Sequence, residues 1–572
     1  MLQIGYDSTQ VVLDTRKTDP TAILAYIKAT NRPVVGHNLK YDYQVIRTNY
    51  DITLENVWDT MLAAQVIECG LEAPKGHYSL EQTVARYVRQ YYSPQGNLFA
   101  PTVTKQIRSS FSDIGDKDFS FEQIYYGAFD VEAAYALKKK LLAKAQELDL
   151  INTLTLEFDF LKVLGDMELN GIYLDKEQWI QNARIVETSA EQLRQELLAI
   201  KDINWDSPKQ AVSYLKEVGV DVLTLDKKTG EIKESVGRIV LLKQEARFPI
   251  LKTYLEYKLL KKKAVSYGEK FLRHINPHSD RVHSSFMQIM RTGRISSTNP
   301  NLQNISRGDV YRSAFMAEDD DVLVVADFSN QEARLIADKS GDPNMLKACG
   351  AGTDFHLEVA KIAYNNPDLT KESEERRLAK SIGFLIGYGG GAKKLADQFG
   401  ISMQEAKETI RWYYGVFSKL EAYFKAQGEL TRKNGYILIN EVSGRKSFIP
   451  FYEKYVQVKS YIERQKARGG DVRPEATEWF SYHNSKIQRW SQNVPIQGTA
   501  ADIGKYAGIL LRKYAQKIPF KIVLFVHDEI ILQCPASLAG TVAKILEKCC
   551  LEASRAYTNH LDIPAKAVIT KI

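Results

Sequence analysis

Two short apolar runs in this chain each lead straight into an aspartate. One is Val322–Asp327 (VLVVAD), followed by Phe328, Ser329, Asn330, Gln331 and Glu332; the other is Ile522–Asp528 (IVLFVHD), followed by Glu529. Apolar runs of this length bounded by acids read as buried strands. A carboxylate at the end of a buried strand loses solvation and needs a counter-charge to stay ionised. Two such strands side by side would hold a pair of divalent cations, the arrangement used for in-line phosphoryl or nucleotidyl transfer.

The stretch Lys371–Tyr388 lies between the two runs. Within it Arg376, Lys380, Phe384 and Tyr388 recur every four residues, which places them on one face of a helix. Two cations followed by two aromatics make a surface for a triphosphate and a base. Spacing alone favours an amphipathic helix with a solvated basic end and a buried aromatic end.

The 572 residues predict about two to four domains. With 44% hydrophobic and 26% charged residues the chain can build ordinary cores, and long disordered tails are not expected. The 77 Lys+Arg against 70 Asp+Glu leave a net charge of +7, compatible with a polyanion partner but not by itself a sign of one. The five cysteines form no CxxC pair, so a reducing, cytoplasmic setting is the expectation, with an organelle left open. No basic segment leads into an apolar core at the N-terminus, so no signal peptide is expected. No run of about 18 apolar residues predicts a membrane span.

Residues 1 to about 145 alternate strands and helices and read as an α/β unit. LQIGY and QVVLD look like paired strands with a turn at Asp7-Ser8, and PVVGH like a third strand entering a helix. Ser79–Val88 and Phe121–Leu142 read as helices. The region from about 150 to 275 is mostly helical and includes a basic amphipathic stretch, Tyr254–Tyr267, with Lys258, Lys261, Lys262 and Lys263. Tyr452–Tyr482 is polar and charged and reads as a surface insertion. Gly387–Lys394 (GYGGGAKK) lacks the GxxxxGK followed by Ser or Thr of a phosphate loop, and reads as a helix end and turn.

The order acid strand, basic–aromatic helix, acid strand resembles motifs A, B and C of family A DNA polymerases, the polymerase I class. DFSNQEARLIADKSGDP at Asp327–Pro343 resembles motif A. RRLAKSIGFLIGYG at Arg376–Gly389 resembles motif B, and VHDEI at Val526–Ile530 resembles motif C. TGRISSTNPNLQNI at Thr292–Ile305, GYILINEVSGRKSFIP at Gly435–Pro450 and RWSQNVPIQGTAADI at Arg489–Ile503 are similar to further family segments.

The resemblance implies a right-hand fold of palm, fingers and thumb around an antiparallel palm sheet. Its limits would be residues 149–572, with thumb about 195–290, palm about 291–340 and 485–572, and fingers about 341–484. It also implies roles. Asp327 and Asp528 would bind two Mg2+ ions, with Mn2+ able to substitute, and Glu529 would assist near the primer end. Arg376 and Lys380 would grip the triphosphate, with Lys380 the proton donor to pyrophosphate. Phe384 would pack on the incoming nucleotide and Tyr388 would lie at the templating position. Glu332, with Gln331 beside it, would exclude a 2′-hydroxyl. Arg294, Arg489, Asn493, Gln497 and His527 would contact the primer–template near its end, and the thumb lysines would meet duplex phosphates.

GHNLKYD places Asn38 and Asp42 at a strand end and helix start, and YGAFD places Tyr126 and Asp130 four apart on a helix. These resemble the second and third motifs of a 3′–5′ proofreading exonuclease with a ribonuclease H-like fold, over residues 1–148. There Asp42 and Asp130 would ligate metal and Tyr126 would orient water. The family's first motif, Asp-x-Glu, has no counterpart at Asp7 or Asp14. Weak or absent proofreading is therefore expected of this chain, and no 5′-nuclease domain.

The expected function is template-directed DNA synthesis on primer–template DNA from deoxynucleoside triphosphates, by a soluble, phage-like monomer. A helicase or primase are the expected accessory partners. The alternatives are a single-subunit RNA polymerase and a primer–template binding protein without catalysis.

Overall fold

The computed structural model describes the chain apart from residues 7–8, 89–100, 226–230, 243, 306–307, 351–353 and 572, and apart from the side chains of residues 101–105, 225 and 384. The N-terminal unit opens with an antiparallel pair, β1 (Leu2–Tyr6) and β2 (Thr9–Leu13), in the register Leu2↔Leu13 to Tyr6↔Thr9. The anticipated turn residues Asp7 and Ser8 lie outside the described residues. Strand β3 (Val34–Gly36) leads into helix α1 (Leu39–Tyr50), which returns the chain to β4 (Val57–Asp59), parallel to β3. A parallel pair needs such a crossover.

Asp59 begins helix α2 (Thr60–Ile67) and is fully buried. Its carboxylate accepts from the amides of Met61 (2.7 Å) and Leu62 (3.2 Å) on its own helix. It also accepts from Asn38 (3.1 Å) and Leu39 (2.8 Å) at the start of α1. One buried acid thus caps two helices, and four amides replace the water it loses. Helix α3 (Pro101–Ser110) precedes α4 (Phe121–Glu147), whose start is a capping box between Ser120 and Gln123.

Helix α5 (Ile151–Asn170) is apolar on nearly every side because it sits between two cores. Leu154, Phe158 and Leu161 join the N-terminal core with Tyr43 and Leu137, while Phe160, Val163 and Leu164 join the larger C-terminal one. Tyr43 of α1 lies flat on Gly165 of α5, where an added methyl would stand 2.6 Å from the ring. Helices α6 (Lys176–Ile200) and α7 (Ile250–Tyr267) pack against each other.

The C-terminal core forms around β5 (Asp321–Phe328). Five consecutive residues, Val322 to Ala326, are buried, so both faces of the strand are covered. Each large apolar side chain buried there contributes about 1.5–3 kcal/mol. After β5 come helices α8 (Gln331–Ser340), α9 (Phe355–Tyr364), α10 (Glu374–Gly387), α11 (Tyr452–Ala467) and α12 (Pro474–Ala515). The chain closes with β6 (Lys521–Val526), β7 (Glu529–Pro535), α13 (Ala539–Arg555) and β8 (Ala565–Thr570). The sheet is antiparallel throughout, in the order β6–β7–β5–β8.

That order corrects one expectation. The two acid-bearing runs are not neighbours, because β7 lies between β6 and β5. Glu529 follows Asp528 at once and opens the strand that pairs with β5, in the register Asp327↔Glu529. Asp528 therefore sits in the tight β6–β7 turn rather than at a buried strand end.

The anticipated elements of the first 145 residues are present, and α4 runs five residues beyond Leu142. The anticipated surface insertion is a helical hairpin, made of α11 and the first turns of α12. Helix α10 stops at Gly387, so Tyr388 lies just past its end. Amides of Gly389 and Gly390 close that end by bonding to Ile386 O (2.9 Å) and Leu385 O (2.7 Å).

Candidate active site

Asp327 and Asp528 occupy one edge of the central sheet, and the amide of Phe328 donates to the carbonyl of Asp528 (3.3 Å). Asp327 is half-buried and Asp528 is exposed. The turn that presents Asp528 also holds His527, exposed, with φ +56°. Glu529 has a different partner. It is 4% exposed and ion-paired with Arg312 on the short helix Val310–Ala314. Behind the turn, the Gln303 amide donates to Phe525 O (3.3 Å), tying the Thr292–Ile305 segment to β6.

Helix α10 buries Ala379, Ile382, Leu385 and Ile386 and leaves Lys380 exposed. Arg376 bonds Asp354 through Nη2 (2.7 Å) and Nε (3.2 Å). Asp354 also caps α9, accepting from Leu357 N (3.0 Å). His356, one residue into α9, is buried. Burial, then the charge of Lys380, lowers its imidazole to about 4; Arg376 adds to this and Asp354 opposes it. A neutral imidazole thus stands beside the two cations, a third polar group that spacing in α10 alone does not reveal. The Phe384 side chain lies outside the described residues.

Tyr388 donates to Glu332 (2.7 Å), and Arg294 ion-pairs with the other oxygen of the same carboxylate. Burial and then the Glu332 charge push the Tyr388 phenol up to about 12, and Asp528 adds to the shift. The end of α10 therefore lies within electrostatic reach of the β6–β7 turn. Gln331 is buried, its amide on Ala500 O (3.4 Å).

Helix α12 carries Arg489, Asn493 and Gln497 at four-residue spacing, one face of the helix. Gly389 (φ +68°) lets α10 approach this face: a methyl there would lie 2.8 Å from Gln492 Oε1 and 3.0 Å from Arg489 Cα. Gly498 likewise lets the Thr292–Arg294 loop lie on α12, with Thr292 O 2.7 Å from where a methyl would be. Under that loop is a buried charge cluster. Arg445 pairs with Glu157 and with Asp502 (2.8 Å), and Lys505 with Glu157 (2.5 Å). All four groups are within 2% of full burial.

Of the candidate thumb lysines on α7, Lys261 meets Asp206 (3.3 Å), Lys263 meets Asp309 (2.8 Å) and Lys258 donates to Val236 O (2.8 Å).

The N-terminal candidates fall in two local pairs. Asn38 caps α1 with φ +64° and Asp42 lies in its first turn. Tyr126 and Asp130 share a face of α4 and are hydrogen-bonded. Arg108 of α3, a residue no motif indicated, donates to the Tyr126 hydroxyl (2.7 Å). Desolvation raises Asp42 and Asp130 each to about 6, with Asp59 adding to Asp42 and Arg108 opposing at Asp130. Among the described residues no three His, Cys, Asp or Glu side chains converge as a metal cluster.

Comparison with known proteins identifies the family to which this central sheet and its flanking helices belong. The sequence profile of DNA polymerase family A matches residues 176–570, and a 3′–5′ exonuclease profile matches residues 1–146. The chain belongs to DNA polymerase family A. It is 29% identical over 549 residues to DNA polymerase I of Borreliella burgdorferi, covering 94% of this chain and 55% of the relative. Against DNA polymerase I of Synechocystis sp. the identity is 30% over 543 residues, 90% of this chain and 51% of the relative. The chain spans about half the length of these two relatives. It also matches DNA polymerase I of Aquifex aeolicus at 29% over 593 residues, 100% of this chain and 93% of the relative. In fold it is similar to the POL domain of Pol1 from M. smegmatis in complex with DNA primer-template and dNTP, with TM-score 0.79 and 22% identity, over 98% of this chain and 90% of that one. The fold is the right-hand polymerase fold with an exonuclease-type α/β domain in front of it.

Proposed function

We propose that this chain is a template-directed DNA polymerase that extends a primer 3′ end with deoxynucleotides. The observation that carries it is the register Asp327↔Glu529, which brings Asp327 and Asp528 to one sheet edge, within reach of the end of the cationic helix α10. We assign residues 1–148 to the exonuclease-like domain and 149–572 to the polymerase, with thumb, palm and fingers at the limits expected above.

The donor set suits magnesium. Two hard carboxylates, neither sealed from water, match an ion that keeps several waters and takes one or two protein carboxylates plus substrate phosphates. Asp327 and Asp528 would hold the ions, which supply Lewis acidity to the 3′-hydroxyl and charge neutralisation to the triphosphate. The remaining work belongs to side chains. Arg376, fixed by Asp354, and Lys380 bind the triphosphate oxygens. Neutral His356 beside them donates a hydrogen bond without adding charge. The Lys380 ammonium gives its proton to the departing pyrophosphate. Glu332, held between Arg294 and Tyr388, fills the space a 2′-hydroxyl needs and so favours deoxynucleotides. Phe384 packs on the incoming base, and Tyr388 stands where the template base turns in. Arg489, Asn493 and Gln497 hold the primer–template near its end and His527 touches the terminus.

The test is primer extension with Mg2+ and four deoxynucleotides, beside Asp528→Ala. Extension that disappears in the variant, while duplex binding persists, is the expected result. Binding without extension by the parent chain would overturn the proposal in favour of a non-catalytic primer–template binder. Lanes without nucleotides report separately, through shortened primers, on the N-terminal site.

A further inference from the structure

The stripe on α12 does not begin at Arg489. From Tyr482 toward the C-terminus, Lys486, Arg489, Asn493 and Gln497 follow at steps of four, three, four and four, on one face of α12. The first two belong to the hairpin that α12 makes with α11. Tyr482 is 60% exposed.

Around this part of the stripe, cations lie over partly buried rings. Lys454 of α11 lies over Trp479 (4.9 Å), and Trp479 stacks on His483 (3.8 Å, 23°). Lys486 lies over both Phe451 (5.2 Å) and Trp490 (4.7 Å), and Arg291 also lies over Trp490 (4.0 Å). Phe451, Trp479 and Trp490 are only partly buried. One side of these rings packs against a small core of Ile437, Ile449, Tyr455 and Ile487, and the cations lie over the rings from outside that core. Between residues 452 and 490 there are eight Lys and Arg against five Asp and Glu.

We propose that this outer face of the α11–α12 hairpin binds the single-stranded template arm ahead of the site of synthesis. The proposal rests on the polymerase reading above. Interleaved cations and half-exposed rings fit single-stranded nucleic acid, because phosphates meet the cations and any base stacks on a ring without sequence preference. Duplex DNA offers no free base faces to such a surface. Continuity supplies the register: Gly389, next to Tyr388, packs on the Arg489 turn of α12, and the hairpin stripe continues from that turn away from the sheet. A strand turning in at Tyr388 meets Arg489 first and Lys486 and Tyr482 next. From Gln497 to Tyr482 the stripe spans roughly 22 Å along the helix axis.

The test uses the full chain and two primer–templates with the same duplex, one with a single-nucleotide 5′ overhang and one with a twelve-nucleotide oligothymidine overhang. Affinity is measured by fluorescence anisotropy for the parent, for Lys454→Glu/Lys486→Glu/Tyr482→Ala, and for Lys454→Glu/Tyr482→Ala, whose two positions are exposed and spare the hairpin fold. The parent is expected to bind the long overhang more tightly. The variants lose about 10- to 100-fold on that substrate and stay within about twofold on the short one. Equal loss on both substrates, or none on either, overturns the template-arm surface while extension by the parent leaves the polymerase reading intact. A parent chain that neither binds nor extends either substrate overturns both.

Discussion

Asp327 and Glu529 are register partners across the β5–β7 ladder, yet their carboxylates serve different neighbours. Glu529 is buried against Arg312, whereas Asp327 is half-buried at the sheet edge. Loss of the Asp327 charge by Asp327→Asn, or of its neighbour's by Asp528→Asn, should lower the extension rate at least about 10³-fold. Glu529→Gln keeps a hydrogen bond to Arg312 and should cost no more than about tenfold. Arg312→Ala leaves a buried charge unmatched and should lower stability by about 3 kcal/mol, read as a fall in the urea midpoint. Single-turnover extension ranks the three carboxylates, and a Glu529→Gln loss as large as that at Asp327 would contradict this division.

The Arg294–Glu332–Tyr388 arrangement places one carboxylate between a guanidinium and a phenol. Glu332→Ala should raise incorporation of ribonucleotides relative to deoxynucleotides by about 10- to 100-fold. Tyr388→Phe removes one hydrogen bond, worth about 1 kcal/mol, and should shift the same ratio only a few-fold. Competition between labelled ribo- and deoxynucleoside triphosphates on a defined template measures both.

Arg445, Glu157, Asp502 and Lys505 neutralise one another in the interior. Arg445→Ala leaves two carboxylates facing a single lysine and should cost about 3–5 kcal/mol. Chemical denaturation of the variant is the measurement, and a loss under 1 kcal/mol would show that water or a neighbour replaces the guanidinium.

His356 sets a pH dependence. Its folded-state pKa is lowered to about 4 from an unfolded value of about 6.5. Between these values the unfolded chain takes up a proton that the folded chain refuses, so the stabilising contribution is present above about pH 6.5 and is lost as pH falls toward 4. The loss reaches at most about 3 kcal/mol. His356→Gln should flatten the stability profile between pH 4 and 6.5, and parallel urea titrations of parent and variant would reveal an unchanged slope if the imidazole is not responsible.

The chemistry of this site was more legible than its assembly. The acid-terminated runs and the four-residue spacing from Arg376 to Tyr388 are local patterns; the structure keeps the strands and the helix but puts Asp528 in a turn and Tyr388 just past the helix end. Strand order was not legible, because continuous apolar runs carry no face or partner information; the short turn at His527-Asp528 makes β6 and β7 partners but leaves open which of them lies against β5. The Arg445 cluster draws on residues 157, 445, 502 and 505, each unremarked in its own segment. His356 and Arg108 stand alone in sequence and gain meaning only from the helices packed beside them. The hairpin at Tyr452–Tyr482 looked merely polar, since a helix that shows rings and cations on its open side has no strong apolar periodicity.

Helix α12 contains Pro495. A proline ring has no amide to offer the carbonyl four residues earlier, so the helix is softest in bending at that turn. Arg489 and Asn493 lie on one side of it, Gln497, Asp502 and Lys505 on the other. The C-terminal segment is anchored by buried charge, while the N-terminal segment ends in the hairpin. A bend at that turn would shift Arg489 and Asn493 relative to Gln497 while leaving Asp502 and Lys505 in their buried cluster.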